Sequence, residues 1–209
     1  GPGRLLKPEA IVAAVKARFE SRLLEGRRVV ITAGPTMEAI DPVRYLSNHS
    51  SGKMGFALAG ACAEAGAQVE VISGPVHLDA PDRVTVHPVT SAIEMCERAL
   101  ALSADADVFI GAAAVADYRP ETTSAEKIKK SGGAPLTLSL VENPDIIACV
   151  AQSANRPAMV VGFAAETESL MHHAREKRQR KGLDMIIAND VGDPDTTFGA
   201  EQNAVHLIT

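Results

Sequence analysis

The stretch RRVVITAG, residues 27–34, predicts the fold of this chain. Its run of valine and isoleucine is typical of a strand buried on both faces, as in a parallel sheet. The segment GFALAGACAEAGA, residues 55–67, predicts a small-residue helix that ends at glycine, and QVEVISGP, residues 68–75, predicts a second buried strand. A strand, a helix and a strand in this order indicate a right-handed crossover between parallel strands.

The same alternation continues to the end of the chain. We predict further strands in residues 84–89, 107–117, 136–141, 158–165, 184–190 and 203–209, and helices in residues 91–105, 144–154 and 166–182. This order predicts an α/β fold, a Rossmann-like three-layer sandwich with a mainly parallel sheet and helices on both faces. In such sheets, ligands bind in the crevice beyond the carboxyl ends of the strands.

Composition excludes several classes of protein. The chain has 209 residues with a formal net charge of −5, which argues against a broad nucleic-acid-binding surface. No apolar run is long enough for a membrane span. The cysteines Cys62, Cys96 and Cys149 lack CxxC spacing and lie in apolar segments, so we expect buried, reduced thiols. Without a disulfide framework or a recognisable signal peptide, we expect a cytoplasmic protein.

The amino-terminal residues are separated from the predicted domain. Residues 1–3, GPG, resemble the remnant of a cleaved expression tag. Residues 4–25 carry apolar residues at helical spacing, which predicts either a packing helix or a helical linker from an upstream domain. Residues 26–209 then form the domain.

The stretch SNHSSGKMG, residues 47–55, is polar and glycine-rich where a helix is predicted to begin. The N–H groups of a helix N-terminus favour a phosphate or carboxylate. A serine before Gly52 could simply cap the helix, but a cap would not account for Asn48 or Lys53. The Walker A pattern is incomplete here and GxGxxG is absent, so neither a P-loop nor an ordinary dinucleotide-binding turn is indicated.

Small and polar residues follow the other predicted strands. Gly111, Ala112 and Ala113 could leave a strand end bare for a planar group, or could pack under a helix. Asp117 could bind a ribose hydroxyl, an amino group or, through water, a metal. Phe163, at the tip of another strand, could stack on a base or pack in the core.

Two basic segments are candidates for binding a polyphosphate. In EKIKK, residues 126–130, we expect two lysines to be solvated and Lys127 to turn inward. Lys177 and Lys181 are spaced i, i+4 on one helix face, where they could bind phosphates or only offset the helix dipole. Pro144 is predicted in the first turn of another helix, whose N–H groups would be available to an anion.

Other classes of site are less well supported. The histidines show no HExxH pattern, and neither GxSxG nor a Cys–His arrangement is present, so we predict neither a zinc site nor a covalent nucleophile. An NAD(P)-dependent Rossmann-type reductase and a nucleotide-binding module without catalysis stay open as alternatives. The absence of GxGxxG and the two lysine clusters argue against the reductase.

Taken in order, several segments closely resemble the phosphopantothenate–cysteine ligases, the second domain of bacterial bifunctional coenzyme A biosynthesis proteins. They are ITAGPT, DPVRYLSNHSSGKMG, AAVADYRP, EKIKK, ENPDI, VGFAAET and KGLDMIIANDV. The resemblance covers residues 26–209. It implies that CTP activates the carboxylate of 4′-phosphopantothenate as an acyl-cytidylate with release of pyrophosphate. The amine of L-cysteine then displaces CMP to give 4′-phosphopantothenoylcysteine.

The resemblance also implies roles for individual residues. Asn48 would handle the acyl-cytidylate, and Lys127 would be the catalytic lysine that offsets charge on the α-phosphate. The acyl-cytidylate or the substrate phosphate would lie near Asn48, Ser50, Ser51 and Gly52. The residues implied in nucleotide binding are Gly111, Ala112, Ala113, Asp117, Lys127, Pro144, Asp145, Ile146, Ile147, Phe163, Lys177 and Lys181.

The family implies further partners. Mg²⁺ would accompany the triphosphate, and a homodimer would complete each active site with residues of the neighbouring subunit. An FMN-dependent decarboxylase domain would lie upstream, with FMN expected only there, and residues 4–25 would be the tail of the connection to it. No nucleic-acid or membrane partner is expected. Family members usually extend further at the carboxyl terminus than residue 209.

Overall fold

A computed structural model describes residues 22–130, 132–133, 135–166, 170–190 and 205–209, together with positions 7 and 12. In chain order the strands are β1 (Arg28–Ala33), β2 (Met37–Ala39), β3 (Tyr45–Ser47), β4 (Gln68–Ser73), β5 (Val84–Pro88), β6 (Val108–Gly111), β7 (Tyr118–Pro120), β8 (Leu140–Glu142), β9 (Met159–Glu166), β10 (Met185–Asp190) and β11 (Val205–Ile208). The described helices are α1 (Lys53–Glu64), α2 (Ala92–Ser103), α3 (Ile146–Ala151) and α4 (Leu170–Lys181).

The central sheet has seven strands in the order β11-β10-β9-β6-β1-β4-β5. Neighbouring strands are parallel except β10 and β11, which are antiparallel. From β1 the chain moves outward through β4 and β5, then returns to β6 on the other side of β1. This change of direction is a topological switch point, and it opens a crevice at the carboxyl ends of β1 and β6. The predicted mainly parallel sheet is confirmed.

Strand β1 is buried on both faces, as its sequence predicts. Val30 packs in a core that contains side chains of α2, α3 and α4, whereas Val29 and Ile31 pack in a second core with α1. All three side chains are almost fully buried, and such burial contributes roughly 1.5–3 kcal/mol per side chain. Helices therefore cover both faces of the sheet, and the predicted three-layer sandwich is confirmed.

Helix α1 lies against β1 because Gly55 faces the sheet. A Cβ atom added at Gly55 would lie 2.5 Å from the Cβ of Ala33. The helix follows Gly52, whose φ of 76° is in the left-handed region that favours glycine. These two glycines fix where the N-terminus of α1 meets the carboxyl end of β1.

Two small antiparallel hairpins follow strands of the central sheet. Hairpin β2–β3 follows β1, and β7 pairs with β8 after β6. Strand β2 also contacts β7, so both hairpins lie at the carboxyl edge of the sheet. The long loop predicted from the sequence in residues 36–50 therefore contains an ordered hairpin.

Three predicted elements differ from the structure. The strand predicted in 107–117 ends at Gly111. The Ala112 amide makes the last bond to β1, at the Thr32 carbonyl, whereas the amides of Ala113 and Ala114 donate to Thr32 Oγ1 and to the carbonyl of Gly34 beyond β1. The strand predicted in 136–141 is reduced to Leu140–Glu142 and pairs in a hairpin outside the central sheet. The helix predicted in 4–25 falls mostly outside the described residues, and its predicted end is wrong, since residues 23–26 form a turn.

The three cysteines are free thiols, and the predicted burial is confirmed for Cys96 only. Cys96 is buried, and Cys62 and Cys149 are half-buried. Burial raises the pKa of the Cys96 thiol to about 11, which disfavours the reactive thiolate. Among the residues described, we find no helix with both the length and the apolar character needed to cross a bilayer.

Candidate active site

A cleft of about 470 Å³ lies beyond the carboxyl ends of β1, β6 and β9. This is the edge where the fold predicts a ligand. The cleft is lined by Thr32, Phe109, Gly111, Ala113, Val115, Ala116, Asp117, Tyr118, Glu142, Asn143, Pro144, Asp145, Ile146, Ile147, Gly162, Phe163, Lys177, Lys181 and Leu183. Ten of the residues implied in nucleotide binding are in this set, and Ala112 and Lys127 are not.

The floor of the cleft is formed by two glycines on neighbouring strands. Gly111 and Gly162 are paired across β6 and β9. The Cδ1 atom of Ile147 would lie 2.9 Å from a Cβ atom at Gly111 and 2.8 Å from one at Gly162. Ile147 therefore packs over both glycines, while Gly111 also contributes to the cleft lining.

The backbone after β6 is held by hydrogen bonds to the end of β1 and to the residue that follows it. The amide of Ala112 donates to the Thr32 carbonyl (3.1 Å), and that of Ala113 donates to Thr32 Oγ1 (3.3 Å). The amide of Ala114 donates to the Gly34 carbonyl (2.9 Å). Because these donors are engaged within the protein, a base in the cleft would meet carbonyl oxygens and side chains along this segment. Ala112 packs in the core beside α1, away from the cleft.

Asn143 is a site residue that the sequence analysis missed. Its Nδ2 donates to the Ala116 carbonyl (2.8 Å), and its backbone amide donates to the Asp117 carbonyl (2.8 Å). Asn143 thus fixes the segment that presents Asp117 at the cleft. An asparagine directly before Pro144 was the available signal, since asparagine side chains often bond to nearby backbone.

The two lysines of α4 reach the cleft, as their spacing predicts. Lys177 Nζ donates to the Phe163 carbonyl (3.1 Å), and Lys181 Nζ lies 2.7 Å from Asp145 Oδ2. Both side chains are about one helical turn apart on the same face. They place two positive charges along one wall of the cleft, while Phe163 lines the cleft and also packs against the core beside α1.

The start of α3 differs from the prediction. Asp145 is the N-cap residue, and its Oδ1 accepts from the amide of Ala148 (3.2 Å). The helix begins at Ile146, so the predicted placement of Pro144 in the first turn is wrong. The cap position suits aspartate, because its carboxylate can accept from a free amide of the first helical turn, which a proline side chain cannot do. Pro144 stands just before the cap, where its fixed φ is compatible with the chain entering the helix.

The serines before α1 do not cap it. The N-cap position is Gly52, which makes no side-chain cap bond. Ser50 Oγ and Ser51 Oγ accept only long, local bonds of 3.4 Å from the amides of Gly52 and Lys53. Ser50, Ser51 and Gly52 do not line the cleft.

Asn48 lies at the edge of the cleft and is held there. Its exposed side chain donates from Nδ2 to the carbonyl of Val115 (3.0 Å), a residue of the cleft lining. The segment that leads to Asn48 runs beside the segment after β6, where Thr36 Oγ1 accepts from the Ala116 amide (2.9 Å). The structure therefore brings Asn48 next to the nucleotide-binding candidates.

Lys127 is exposed and lies outside the cleft lining, so the predicted inward turn is not observed. The next residue, Ile128, is half-buried, and its amide donates to Asp41 Oδ2 (3.1 Å). The segment is also fastened at Ser124, whose amide donates to the Ile40 carbonyl (3.0 Å). These bonds fix the backbone of the lysine segment and leave the Lys127 side chain in solvent.

Three acidic side chains line the cleft. Asp117, Glu142 and Asp145 contribute to its surface. In the part of the chain that the structure describes, no group of three or more His, Cys, Asp or Glu side chains is arranged to hold a metal ion. A metal held by one or two of these carboxylates would therefore take its remaining ligands from water or a bound substrate.

Comparison with known proteins gives consistent matches. The sequence pattern of the family described as "DNA/pantothenate metabolism flavoprotein C-terminal domain" matches residues 24–209. The chain is 50% identical over 209 residues to the coenzyme A biosynthesis bifunctional protein CoaBC of Vibrio cholerae, covering 100% of this chain and 52% of that protein. It is 47% identical over 212 residues to the protein of the same name in Bacillus subtilis, again covering 52% of it. The chain thus spans about half the length of these relatives.

Solved structures agree with the fold. The crystal structure of the C-terminal domain of a coenzyme A biosynthesis bifunctional protein CoaBC matches with a TM-score of 0.72 and 34% identity, covering 90% of this chain and 89% of that one. A Cab2 variant in complex with phosphopantothenate-cysteine matches with a TM-score of 0.68 at 16% identity, covering 88% and 80% of the two chains. The second match shows a shared fold.

Proposed function

The chain belongs to the family of DNA/pantothenate metabolism flavoprotein C-terminal domains, and on that premise we propose that it joins 4′-phosphopantothenate to L-cysteine with consumption of CTP. The products would be 4′-phosphopantothenoylcysteine, CMP and pyrophosphate. One observation carries the proposal. The cleft at the switch point combines two lysines on one wall with Asn48 at its edge.

The nucleotide would bind in the cleft. Lys177 and Lys181 supply positive charge from α4, and a triphosphate would compete with Asp145 for Lys181. Mg²⁺ would accompany the triphosphate, since it is usually held by substrate phosphates with one or two carboxylates. Asp117, an exposed carboxylate of the cleft lining, is of the right type and is our candidate.

In the first step, a carboxylate oxygen of 4′-phosphopantothenate would attack the α-phosphorus of CTP, and pyrophosphate would leave. Negative charge develops on the α-phosphate during this step. We assign Lys127 to offset that charge, because its long, exposed side chain extends from an anchored backbone.

In the second step, the amine of L-cysteine would attack the acyl carbon, and CMP would leave. The Nδ2 group of Asn48 has two N–H bonds. One donates to the Val115 carbonyl, so the other can donate to the acyl carbonyl and orient it for attack. Asn48, Ser50, Ser51 and Gly52 lie just outside the cleft lining. The region they form would hold the acyl-cytidylate or the substrate phosphate.

We also propose that the domain acts as a homodimer. Val43, Tyr45, Tyr118 and Leu140, on or beside the two hairpins, are exposed apolar side chains at the cleft edge of the sheet. Clustered apolar exposure of this kind is typical of an interaction surface. A second copy on this surface would lie beside Asn48 and could complete the site. Light scattering of wild type and of Tyr45→Ser checks this, with a monomeric mass expected for the variant.

Two further proposals concern the longer protein. Because this chain covers only 52% of relatives named as bifunctional, we propose that residues 4–25 connect to an upstream FMN-dependent decarboxylase domain. FMN would bind only there. The domain of residues 26–209 would act in the cytoplasm, where coenzyme A biosynthesis supplies its substrates.

Pyrophosphate release tests the activity. The protein is mixed with CTP, Mg²⁺ and 4′-phosphopantothenate, first without and then with L-cysteine. We expect pyrophosphate that depends on 4′-phosphopantothenate, and the product mass only when cysteine is added. Pyrophosphate should be slower with ATP, whose purine is larger than a pyrimidine. CTP binding without pyrophosphate release would indicate a nucleotide-binding module without catalysis. A separate fluorescence titration with NADPH tests the reductase, which tight NADPH binding in a protein that releases no pyrophosphate would indicate.

A further inference from the structure

Asp41 is a buried carboxylate between two segments of the proposed site. It lies just after β2, is 3% exposed, and accepts bonds from the amides of Val43 (2.9 Å) and Arg44 (2.8 Å). The guanidinium of Arg44 adds two further bonds to Asp41 Oδ2. The hydrogen-bonded Arg44 side chain holds the pKa of Asp41 well below its usual range, so the group stays ionised.

The same ion pair bonds to both the amide and the carbonyl of one residue, Ile128, in the EKIKK segment (residues 126–130). The amide of Ile128 donates to Asp41 Oδ2 (3.1 Å), and Arg44 Nη2 donates to the Ile128 carbonyl (2.9 Å). Ile128 and Asp41 are 87 positions apart in the chain. Nothing in local sequence would bring them together, and the residue so fixed is the direct neighbour of Lys127.

The hairpin that contains this ion pair also leads to Asn48. Residue 48 follows β3 directly, and its side chain bonds to Val115 at the cleft. One hairpin therefore carries Asn48 and also bonds to the backbone beside Lys127. Both residues must reach the same acyl phosphate if the proposed two-step reaction is right.

We propose, resting on the proposed function, that Asp41 is a positioning residue that holds Lys127 at a fixed place relative to Asn48. Asp41 itself would not touch the substrate. It acts through Arg44 and the backbone of Ile128. Its loss should therefore impair cytidylate formation by misplacing Lys127, while leaving the sheet and the cleft lysines in place.

Asp41→Asn is the test variant, and Glu38→Gln is its matched control. Asn keeps the size of the side chain but has only one acceptor oxygen and no charge, so it cannot satisfy all of these donors. Glu38 is also buried at 3% exposure on the same hairpin, but it accepts from the amide of Ala92 (3.0 Å), at the start of α2. Glu38→Gln therefore perturbs a buried carboxyl group of the hairpin without touching Ile128.

Hydrogen exchange tests, without relying on activity, whether Asp41 and Arg44 hold the backbone at Ile128. In Asp41→Asn, amides of residues 121–130 should exchange roughly tenfold faster or more, the factor expected for losing a bond to a charged acceptor. Amides of β1 and β6 should be unchanged, and Glu38→Gln should leave 121–130 protected. Unchanged exchange in Asp41→Asn, or equal loosening in both variants, would overturn the inference. If Asp41→Asn does not fold, Arg44→Lys is the test variant in its place, because it removes the guanidinium bond to the Ile128 carbonyl.

Pyrophosphate release then tests positioning. Asp41→Asn should lower kcat with little change in KM for CTP. Its effect should largely disappear in a Lys127→Gln background, because a misplaced lysine matters only when the lysine is present. Additive effects, or full activity of Lys127→Gln, would overturn the positioning role. A wild type without pyrophosphate release would instead refute the proposed function. Hydrogen exchange would still decide whether Asp41 holds residues 121–130 in place.

Discussion

Lys181 Nζ and Asp145 Oδ2 lie 2.7 Å apart at the mouth of the cleft, joining the end of α4 to the N-cap of α3. The lysine is mostly buried and the aspartate is about half exposed. A phosphate that enters the cleft would meet a cation already oriented toward it. It would also meet a carboxylate that must give up part of this pairing.

Lys181→Gln should raise the KM for CTP by roughly tenfold or more, since a hydrogen bond to a charged group is worth about 1.5–3 kcal/mol. Arg180→Gln is the control, because Arg180 is exposed on the same helix and outside the cleft lining, and its loss changes the net charge equally. Steady-state kinetics of both variants at two salt concentrations separate a direct contact between Lys181 and a phosphate from a general electrostatic attraction of CTP. Equal KM values in the two variants would contradict a phosphate contact at Lys181.

Lys127→Gln should reduce pyrophosphate release by roughly 10²-fold or more, the loss typical of a removed contact to a developing anion. Its stability should change little, because the side chain is exposed. Denaturant unfolding and the pyrophosphate assay check the two statements separately. Lys130→Gln, in the same exposed segment, is the control and should keep near wild-type rates. Retention of more than about a tenth of the rate in Lys127→Gln would remove this residue from catalysis.

Asn48→Asp should separate the two half-reactions. Asp keeps the size but replaces the Nδ2 donor, so it would repel both the Val115 carbonyl and the acyl phosphate. We expect continued pyrophosphate release with slow transfer to cysteine, and a quenched mixture should show the acyl-cytidylate by mass spectrometry. Asn48→Ala removes the donor without adding charge and should slow transfer less. If both steps slow together without an intermediate, Asn48 only shapes the turn before α1.

Two glycines of α1 should respond oppositely to alanine. Gly55→Ala should destabilise the fold by about 1–3 kcal/mol, because the added Cβ would lie 2.5 Å from the Ala33 Cβ. Gly60→Ala should stabilise it by up to about 1 kcal/mol, since its nearest contact is an ordinary 3.7 Å to Pro81 and alanine favours helix. Urea unfolding of both variants gives the signs. Stabilisation by Gly55→Ala would show that α1 does not lie as close to β1 as described.

The sequence predicted the central sheet because its signals are local. The apolar run of β1 and the glycine and alanine spacing of α1 each determine their element with little help from the rest of the chain. The crevice at the switch point followed from the order of strands and helices, and the i, i+4 lysines of α4 lie at it as predicted.

The misses depend on contacts between distant segments. Strand pattern alone could not show that the chain leaves the ladder after Gly111, where the amides of Ala113 and Ala114 donate to Thr32 Oγ1 and to the Gly34 carbonyl. Asp41 and Ile128 meet only through the tertiary fold, and that meeting turns Ile128 inward instead of Lys127. Buried polar bonds of this kind leave no periodic signal in a single sequence.

Transfer of oxygen-18 tests the central claim most directly. The protein is given Mg²⁺, CTP, L-cysteine and 4′-phosphopantothenate labelled with oxygen-18 in both carboxylate oxygens, and the products are weighed by mass spectrometry. Attack of the carboxylate on the α-phosphorus predicts one labelled oxygen in CMP for each product formed, with unlabelled pyrophosphate. Unlabelled CMP, with the label in orthophosphate or pyrophosphate, would contradict activation through an acyl-cytidylate.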